Sequence, residues 1–205
     1  METSTNVQVA RLQRSAFRFD TLPNRITAVR LMLAVGLFVL IAYEWWTTAL
    51  VLFLLALASD LLDGYLARKR GEITAIGRIL DPFADKIVIV GAFIFLMPYP
   101  VDLKPWMVTL IVARELLVSS IRSFLESARI PFGADWGGKI KMALQSLCVA
   151  WILATLSPGG VAPWVRVVRV VLIWLTVLAT ALSGLNYFRR AVHIIQQMEG
   201  GRADR

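Results

Sequence analysis

Sulfur and imidazole are nearly missing from this chain. Its 205 residues include one cysteine, Cys148, and one histidine, His193. A single thiol cannot close a disulfide within the chain, and one thiol makes no zinc centre. Cys148 stands inside an apolar run, and His193 lies near the C-terminus, where a solvated tail position is expected. The first 25 residues lack the apolar core of a secretory signal peptide. Carboxylates are scarce beside cations: 14 Asp and Glu stand against 22 Lys and Arg, a formal charge of +8. Such an excess suits anionic lipid or a phosphate-bearing substrate. Nucleic acid, the other usual partner of a basic chain, is not expected here, because no basic, aromatic-studded soluble segment remains once the apolar runs are set aside. No internal repeat or second domain is evident.

Apolar residues make up 58% of the chain, and mean hydropathy is +0.66. Soluble domains sit closer to half apolar and seldom carry long uninterrupted blocks. Six blocks, about 26–43, 48–67, 80–97, 106–126, 139–157 and 164–188, approach the ~20 residues that cross a bilayer. Short connections rich in Pro and Gly, such as PYPVDLK and SPGGVAP, suit helix-to-helix turns. The expected fold is an all-α integral membrane protein with six transmembrane helices. With six spans both termini share one side, and Arg11, Arg14, Arg18, Arg25, Arg68, Lys69, Arg70, Arg78, Arg129, Lys139, Lys141, Arg189 and Arg190 fall there. The positive-inside rule makes that side cytoplasmic. Arg166 and Arg169 run against the trend and are expected to snorkel at the outer interface. Near the start, Val9, Leu12, Ala16 and Phe19 recur at helical spacing, with Arg11, Arg14 and Arg18 on another face. That pattern predicts an amphipathic helix lying on an anionic inner surface, with a disordered basic tail as the alternative. The expected organisation is one membrane domain over 1–205: an interfacial helix over 1–24, a six-helix catalytic region over 25–190, and a cytoplasmic tail over 191–205.

Residues 60–85 break the apolar pattern. They read DLLDGYLARKRGEITAIGRILDPFAD and carry Asp60, Asp63, Asp81 and Asp85 between LVLFLLALAS and KIVIVGAFIFLM. A charge at the centre of a membrane helix costs roughly 2.5–3.5 kcal/mol on insertion scales, so these carboxylates need compensation. Asp60 and Asp63 are three residues apart and Asp81 and Asp85 four, so each pair shares a helix face. Pro82 suits the first turn of a helix, which places Asp81 at its start. A short hairpin between the pairs makes the two helices antiparallel neighbours. Four facing carboxylates cannot all ionise unaided. Hard divalent cations with all-oxygen ligands resolve the repulsion, and two such ions would clamp a phosphoryl transfer. Gly64 and Gly77 would admit a ligand close to the backbone, and Arg68 would reach a phosphate with its planar fork. Two other readings stay open on the residues alone: solvated interfacial aspartates paired with the loop cations, and an ion or proton pathway.

The spacing D-x2-D-G-x2-A-R-x8-G-x3-D-x3-D, met here by Asp60, Asp63, Gly64, Ala67, Arg68, Gly77, Asp81 and Asp85, resembles the signature of the CDP-alcohol phosphatidyltransferase family. The resemblance implies six membrane helices with an active site at the cytoplasmic edge, and displacement of CMP from a CDP-linked lipid by an alcohol. It implies that Asp60, Asp63, Asp81 and Asp85 hold two divalent ions, Mg²⁺ or Mn²⁺. Asp85 would also be the base for the incoming hydroxyl. Gly64, Ala67, Arg68 and Gly77 would hold the CDP moiety, and a homodimer in a bacterial inner membrane is the expected assembly.

Three other segments resemble the branch of that family whose substrates are CDP-diacylglycerol and glycerol 3-phosphate. TLPNRITAVRL at 21–31 offers Asn24, Thr27 and Arg30 on the CDP-diacylglycerol side, with Ile26 where leucine is common. VARELLVSSIR at 112–122 matches through Arg114, Glu115, Ser119 and Arg122. GKIKMALQ at 138–145 matches except at Met142, where a threonine is common. Arg114 and Arg122, eight residues apart, fall near one helix face. Together with Lys139 and Lys141 they suit a dianionic phosphate. The expected reaction is phosphatidyl transfer to glycerol 3-phosphate. Inositol phosphate, serine and phosphatidylglycerol are alternative acceptors for the same chemistry.

Overall fold

Apolar runs punctuated by Pro, Gly and charged turns give six helices among the described residues, with no strand. They are α1 (Leu22–Ala42), α2 (Trp46–Arg70), α3 (Ala75–Leu96), α4 (Pro105–Ser127), α5 (Trp136–Leu156) and α6 (Pro163–Ala203). The computed structural model describes the backbone of residues 22–70, 75–127, 136–156 and 162–203. Within those stretches the side chains of 22–26, 60–70, 75–82, 85, 126, 195 and 197–203 lie outside the described set. The amphipathic helix expected over 1–24 lies outside it as well, save that α1 already begins at Leu22.

The expected spans coincide with these helices, with two differences. The charged run ARKRGEITAIGR, read as a loop, is largely helical: α2 continues through Arg70 and α3 starts at Ala75. Gly77 therefore sits in the first turn of α3, and Asp81 and Pro82 lie two turns in rather than at the start. Pro82 has no N–H for the carbonyl one turn back, a loss that membrane helices tolerate. At the other end, α6 runs on through Ala203, so residues 191–203, expected as a tail, are helical. His193 is exposed on that helix.

The chain divides between Phe95 and Leu96 into two compact units. In the first, α1 packs along α2. Thr27, Arg30, Ala34, Leu37 and Ile41 form the buried stripe of α1, and Ala49, Phe53 and Ala56 that of α2. Small residues let the backbones approach: a Cβ on Gly36 would lie 3.2 Å from Leu52 Cδ2. The turn between the helices is only Tyr43–Trp45, and Glu44 takes φ 61° to close it. α3 meets α1 through Phe38 and Phe95, whose rings stack at 4.8 Å and 7°. Phe38 also fills the space over Gly91, where a Cβ would fall 2.1 Å from Phe38 Cζ. Gly91→Ala is therefore expected to break the ring stack and destabilise the protein by roughly 1–3 kcal/mol. A thermal midpoint in detergent equal to that of the parent would contradict this packing.

In the second unit α6 packs against both α4 and α5. Ile111, Val118 and Leu125 of α4, Cys148, Val149 and Ile152 of α5, and Ile173, Val177 and Tyr187 of α6 are buried. Pro105 and Pro163 open α4 and α6, positions where a missing N–H costs nothing. The connection before α4 folds back on α6 through charge. Arg166 grips Asp102 with two nitrogens, at 3.0 and 3.3 Å. Arg169 reaches the same carboxylate at 3.2 Å, the Pro100 carbonyl at 3.3 Å and Thr155 Oγ1 at 3.3 Å. The two arginines expected to snorkel are thus an ion-paired clasp, and Arg169 is buried.

The hydrogen bond from Arg166 is the main cause holding the Asp102 carboxyl below its usual value, with Arg169 adding to it against the opposing effect of burial. For stability Arg169 matters more, since losing the carboxylate would leave it as a buried unpaired charge, whereas Arg166 is largely exposed and its pair is worth little. A lowered carboxyl value means stabilisation that is present above the ordinary pKa and lost as pH falls through the folded one. Asp102→Asn should therefore lower the melting temperature at neutral pH, and the gap should close as pH drops below 3.8. A gap that persists unchanged in acid would contradict the clasp.

Candidate active site

The signature residues lie on two helices of the first unit. At about 100° per residue, Asp60, Asp63, Gly64, Ala67 and Arg68 share one side of α2, and Gly77, Asp81 and Asp85 share one side of α3. Their side chains are outside the described set, so the backbone register is what the structure contributes. That register suits a hard divalent ion: two carboxylates within one turn on each helix, oxygen donors only, and no sulfur or imidazole nearby in sequence. On α1, Asn24 lies in the first turn, and Thr27 and Arg30 are almost fully buried. A buried guanidinium in so apolar a helix is costly unless it is engaged, and Arg30 does hold a polar or electrostatic contact.

The second unit carries the cationic residues, and here side chains are described. Adjacent residues on a helix normally diverge, yet Arg114 and Glu115 meet, Arg114 Nη1 donating to Glu115 Oε1 at 3.2 Å. Lys141 of α5 donates its Nζ to the same oxygen. Arg114 Nη2 donates to Ser183 Oγ of α6 at 2.6 Å. Two turns further along α4, Arg122 Nη2 donates to Tyr187 Oη at 2.9 Å, and the Tyr187 ring lies 5.8 Å from the Arg114 guanidinium carbon. Gln145 Nε2 and Thr180 Oγ1, 3.4 Å apart, extend the polar seam between α5 and α6. Arg114, Glu115 and Lys141 are each less than 10% exposed. Of the four expected acceptor cations, three thus join one network. Lys139 does not: it is exposed and stands 5.0 Å over the Trp136 ring.

Gly184 gives Arg114 its room. A Cβ there would lie 2.9 Å from Arg114 Cγ, close to the backbone, where the side chain cannot swing aside cheaply. Gly184→Ala is expected to pull Arg114 off Ser183 and reduce activity several-fold with little loss of folded protein. Unchanged kinetics would show that the placement of Arg114 does not matter.

Sequence reading alone passed over Ser183 and Tyr187 as partners and gave Glu115 no role of its own. A signal was present. Thr176, Thr180, Ser183 and Tyr187 recur at helical spacing along α6, and all are buried. A polar stripe in an oily helix needs polar company on the helix it faces.

The site and the fold define a class. The chain belongs to the CDP-alcohol phosphatidyltransferase family, whose pattern matches residues 20–182. Among its relatives, it is 33% identical to the CDP-diacylglycerol–glycerol-3-phosphate 3-phosphatidyltransferase of Rickettsia bellii, over 83% of this chain and 94% of that protein. It is 31% identical to the protein of the same name from Bacillus subtilis, over 82% and 94%, and 31% identical to that of Shigella flexneri, over 83% and 94%.

Proposed function

We propose that the protein transfers the phosphatidyl group of CDP-diacylglycerol to glycerol 3-phosphate, giving phosphatidylglycerol phosphate and CMP. The names of its relatives supply the substrate pair. The observation that carries the acceptor assignment is a cluster in which buried Arg114 and Lys141 share Glu115, with half-buried Arg122 joined to it through Tyr187. Three cations beside one carboxylate inside an apolar bundle suit an anionic ligand, and a phosphorylated alcohol is the acceptor with that chemistry.

In this mechanism Arg114, Arg122 and Lys141 bind the acceptor phosphate, with Lys139 attracting it from the exposed start of α5. Asn24, Thr27, Arg30, Gly64, Ala67, Arg68 and Gly77 bind the CDP-diacylglycerol headgroup. Asp60, Asp63, Asp81 and Asp85 would hold two divalent ions, Mg²⁺ or Mn²⁺, whose chemistry when bound is to neutralise pyrophosphate and CMP charge. Asp85 takes the proton of the 1-hydroxyl as that oxygen bonds to the phosphorus carrying diacylglycerol. The bond to CMP breaks, and CMP leaves with the electron pair. Holding both reactants in line makes a two-body encounter unimolecular.

All six helices are assigned as membrane spans. By length and composition Trp136–Leu156 and Pro163–Ile194 pass on their own, with shorter apolar stretches over Thr27–Ala42, Trp46–Ser59 and Lys86–Leu96 among the described residues. Burial supports the assignment. Met32, Val35, Leu116, Phe124, Leu178 and Leu182 are exposed while Arg30, Arg114, Glu115 and Lys141 are buried. Soluble domains seldom expose so many large apolar side chains while burying charged ones. Arg169 and Arg190 are separated by about 31 Å along α6, close to the ~30 Å of a hydrocarbon core. The bias of Lys and Arg supports cytoplasmic termini and a cytoplasmic aspartate cluster in a bacterial inner membrane. The family resemblance supports a homodimer.

The test is CMP release by purified protein in detergent with CDP-diacylglycerol and Mg²⁺, offering glycerol 3-phosphate, inositol phosphate, serine and phosphatidylglycerol one at a time. Release with glycerol 3-phosphate alone is expected. Release only with another acceptor would replace the acceptor assignment. Ion flux in sealed vesicles without CMP release would replace the enzyme.

A further inference from the structure

Glu115 has no part in the mechanism above, yet it is the centre of the cation cluster. Its Oε1 is shared by Arg114 Nη1 and Lys141 Nζ, and the side chain is buried. Ser183 and Tyr187, one turn apart on α6, fix Arg114 and Arg122 from the other side. Each guanidinium has a buried donor without a partner: Arg114 Nε and Arg122 Nε make no hydrogen bond among the described residues. Buried donors are ordinarily satisfied, so two such N–H groups in one network mark a place for an anionic acceptor atom.

The charges agree. Arg114, Arg122 and Lys141 carry +3 and Glu115 −1, leaving +2. A phosphate monoester carries about −1.5 to −2 at neutral pH. Without Glu115 the cluster would hold an uncompensated third cation, and Lys141 and Arg114 would repel each other at close range. With it, the cluster nearly balances a phosphate dianion and mismatches a neutral acceptor.

Resting on the assignment of this cluster to the acceptor phosphate, we propose that Glu115, Ser183 and Tyr187 are the positioning residues of the pocket. They aim Arg114, Lys141 and Arg122 at a phosphate monoester, and Glu115 sets the charge that selects it. None of the three touches the reacting atoms. Their loss should act on acceptor binding and leave the chemical step alone.

Steady-state kinetics of the full chain in detergent test this, with glycerol 3-phosphate and CDP-diacylglycerol varied separately. Glu115→Gln is expected to raise KM for glycerol 3-phosphate by about tenfold or more, with kcat and the KM for CDP-diacylglycerol little changed. Tyr187→Phe keeps the ring, removes the partner of Arg122, and should raise the same KM several-fold. Because Glu115 acts through Lys141 as well as Arg114, Glu115→Gln should cost less in a Lys141→Met background than in the parent. An unchanged or lowered acceptor KM in Glu115→Gln overturns the proposal, as does a fall in kcat with both KM values constant. Should Glu115→Gln not yield folded protein, Tyr187→Phe decides by the same criterion. Parent protein that ignores glycerol 3-phosphate would instead overturn the assignment of the acceptor.

Discussion

Asp85→Asn is expected to lower turnover by roughly 10²–10⁴-fold, the usual contribution of a general base, while the protein still inserts and keeps its helix content. Asparagine matches aspartate in size but cannot take a proton from the attacking hydroxyl. The residue lies on α3, one turn beyond Asp81, and the substitution leaves the helical register untouched. Since Asp85 is also proposed as a metal ligand, the variant is to be assayed across a Mg²⁺ titration. Activity restored at high Mg²⁺ would assign the loss to ligation. Activity that stays low at saturation is the expected result and assigns it to proton removal. More than a few per cent of parental turnover at saturating Mg²⁺ would remove Asp85 as the base.

Chelation carries the second large effect. Excess EDTA should stop CMP release completely, and Mg²⁺ or Mn²⁺ should restore it, with Zn²⁺ a poor substitute. The reasoning is in the donor set. Four carboxylates with no thiolate or imidazole among them favour hard ions, and without such ions their mutual repulsion would force protonation. Charge developing on the departing CMP would then have no counter-ion. Full activity in excess EDTA would end the two-ion account and leave the aspartates to bind substrate by hydrogen bonds alone.

Much of the architecture is legible in the sequence because the physics of lipid is severe. A long apolar run is most simply a helix, since a helix satisfies its backbone internally, and the six helices of the described residues overlap the six apolar runs. The misplaced boundaries lie where two signals conflict. Around Arg68–Arg78 charge and glycine suggest a loop, but Lys, Arg, Ala and Ile are adequate helix formers and one glycine costs only about 1 kcal/mol, so α2 and α3 extend into it. Pro82 misleads in the same way, because membrane helices accept a proline that soluble ones reject. The extension of α6 to Ala203 follows a sequence that is polar and helix-forming, for which hydropathy has no reading.

The candidate site divides along the same line. A fixed signature on one side of α2 and of α3 is readable as letters and spacing. Arg114, Arg122 and Lys141 are readable as cations out of place in apolar helices. Pairings are not readable, since they depend on which face of α6 meets α4 and α5. Glu115 therefore reads only as a matched position in VARELLVSSIR and proves to be a buried counter-ion, and Arg166 and Arg169 look like interfacial anchors and prove to clasp Asp102. Lys139 shows the converse: two residues from Lys141 on α5, it points to Trp136 and solvent.

The measurement that bears most directly on the central claim follows label from acceptor to lipid. Purified protein in detergent is given CDP-diacylglycerol, Mg²⁺ and radiolabelled glycerol 3-phosphate, and the organic phase is resolved after extraction. Label is expected in phosphatidylglycerol phosphate, with one CMP released per lipid formed. CMP released without label entering the lipid, or no transfer while another alcohol is taken up, would contradict it.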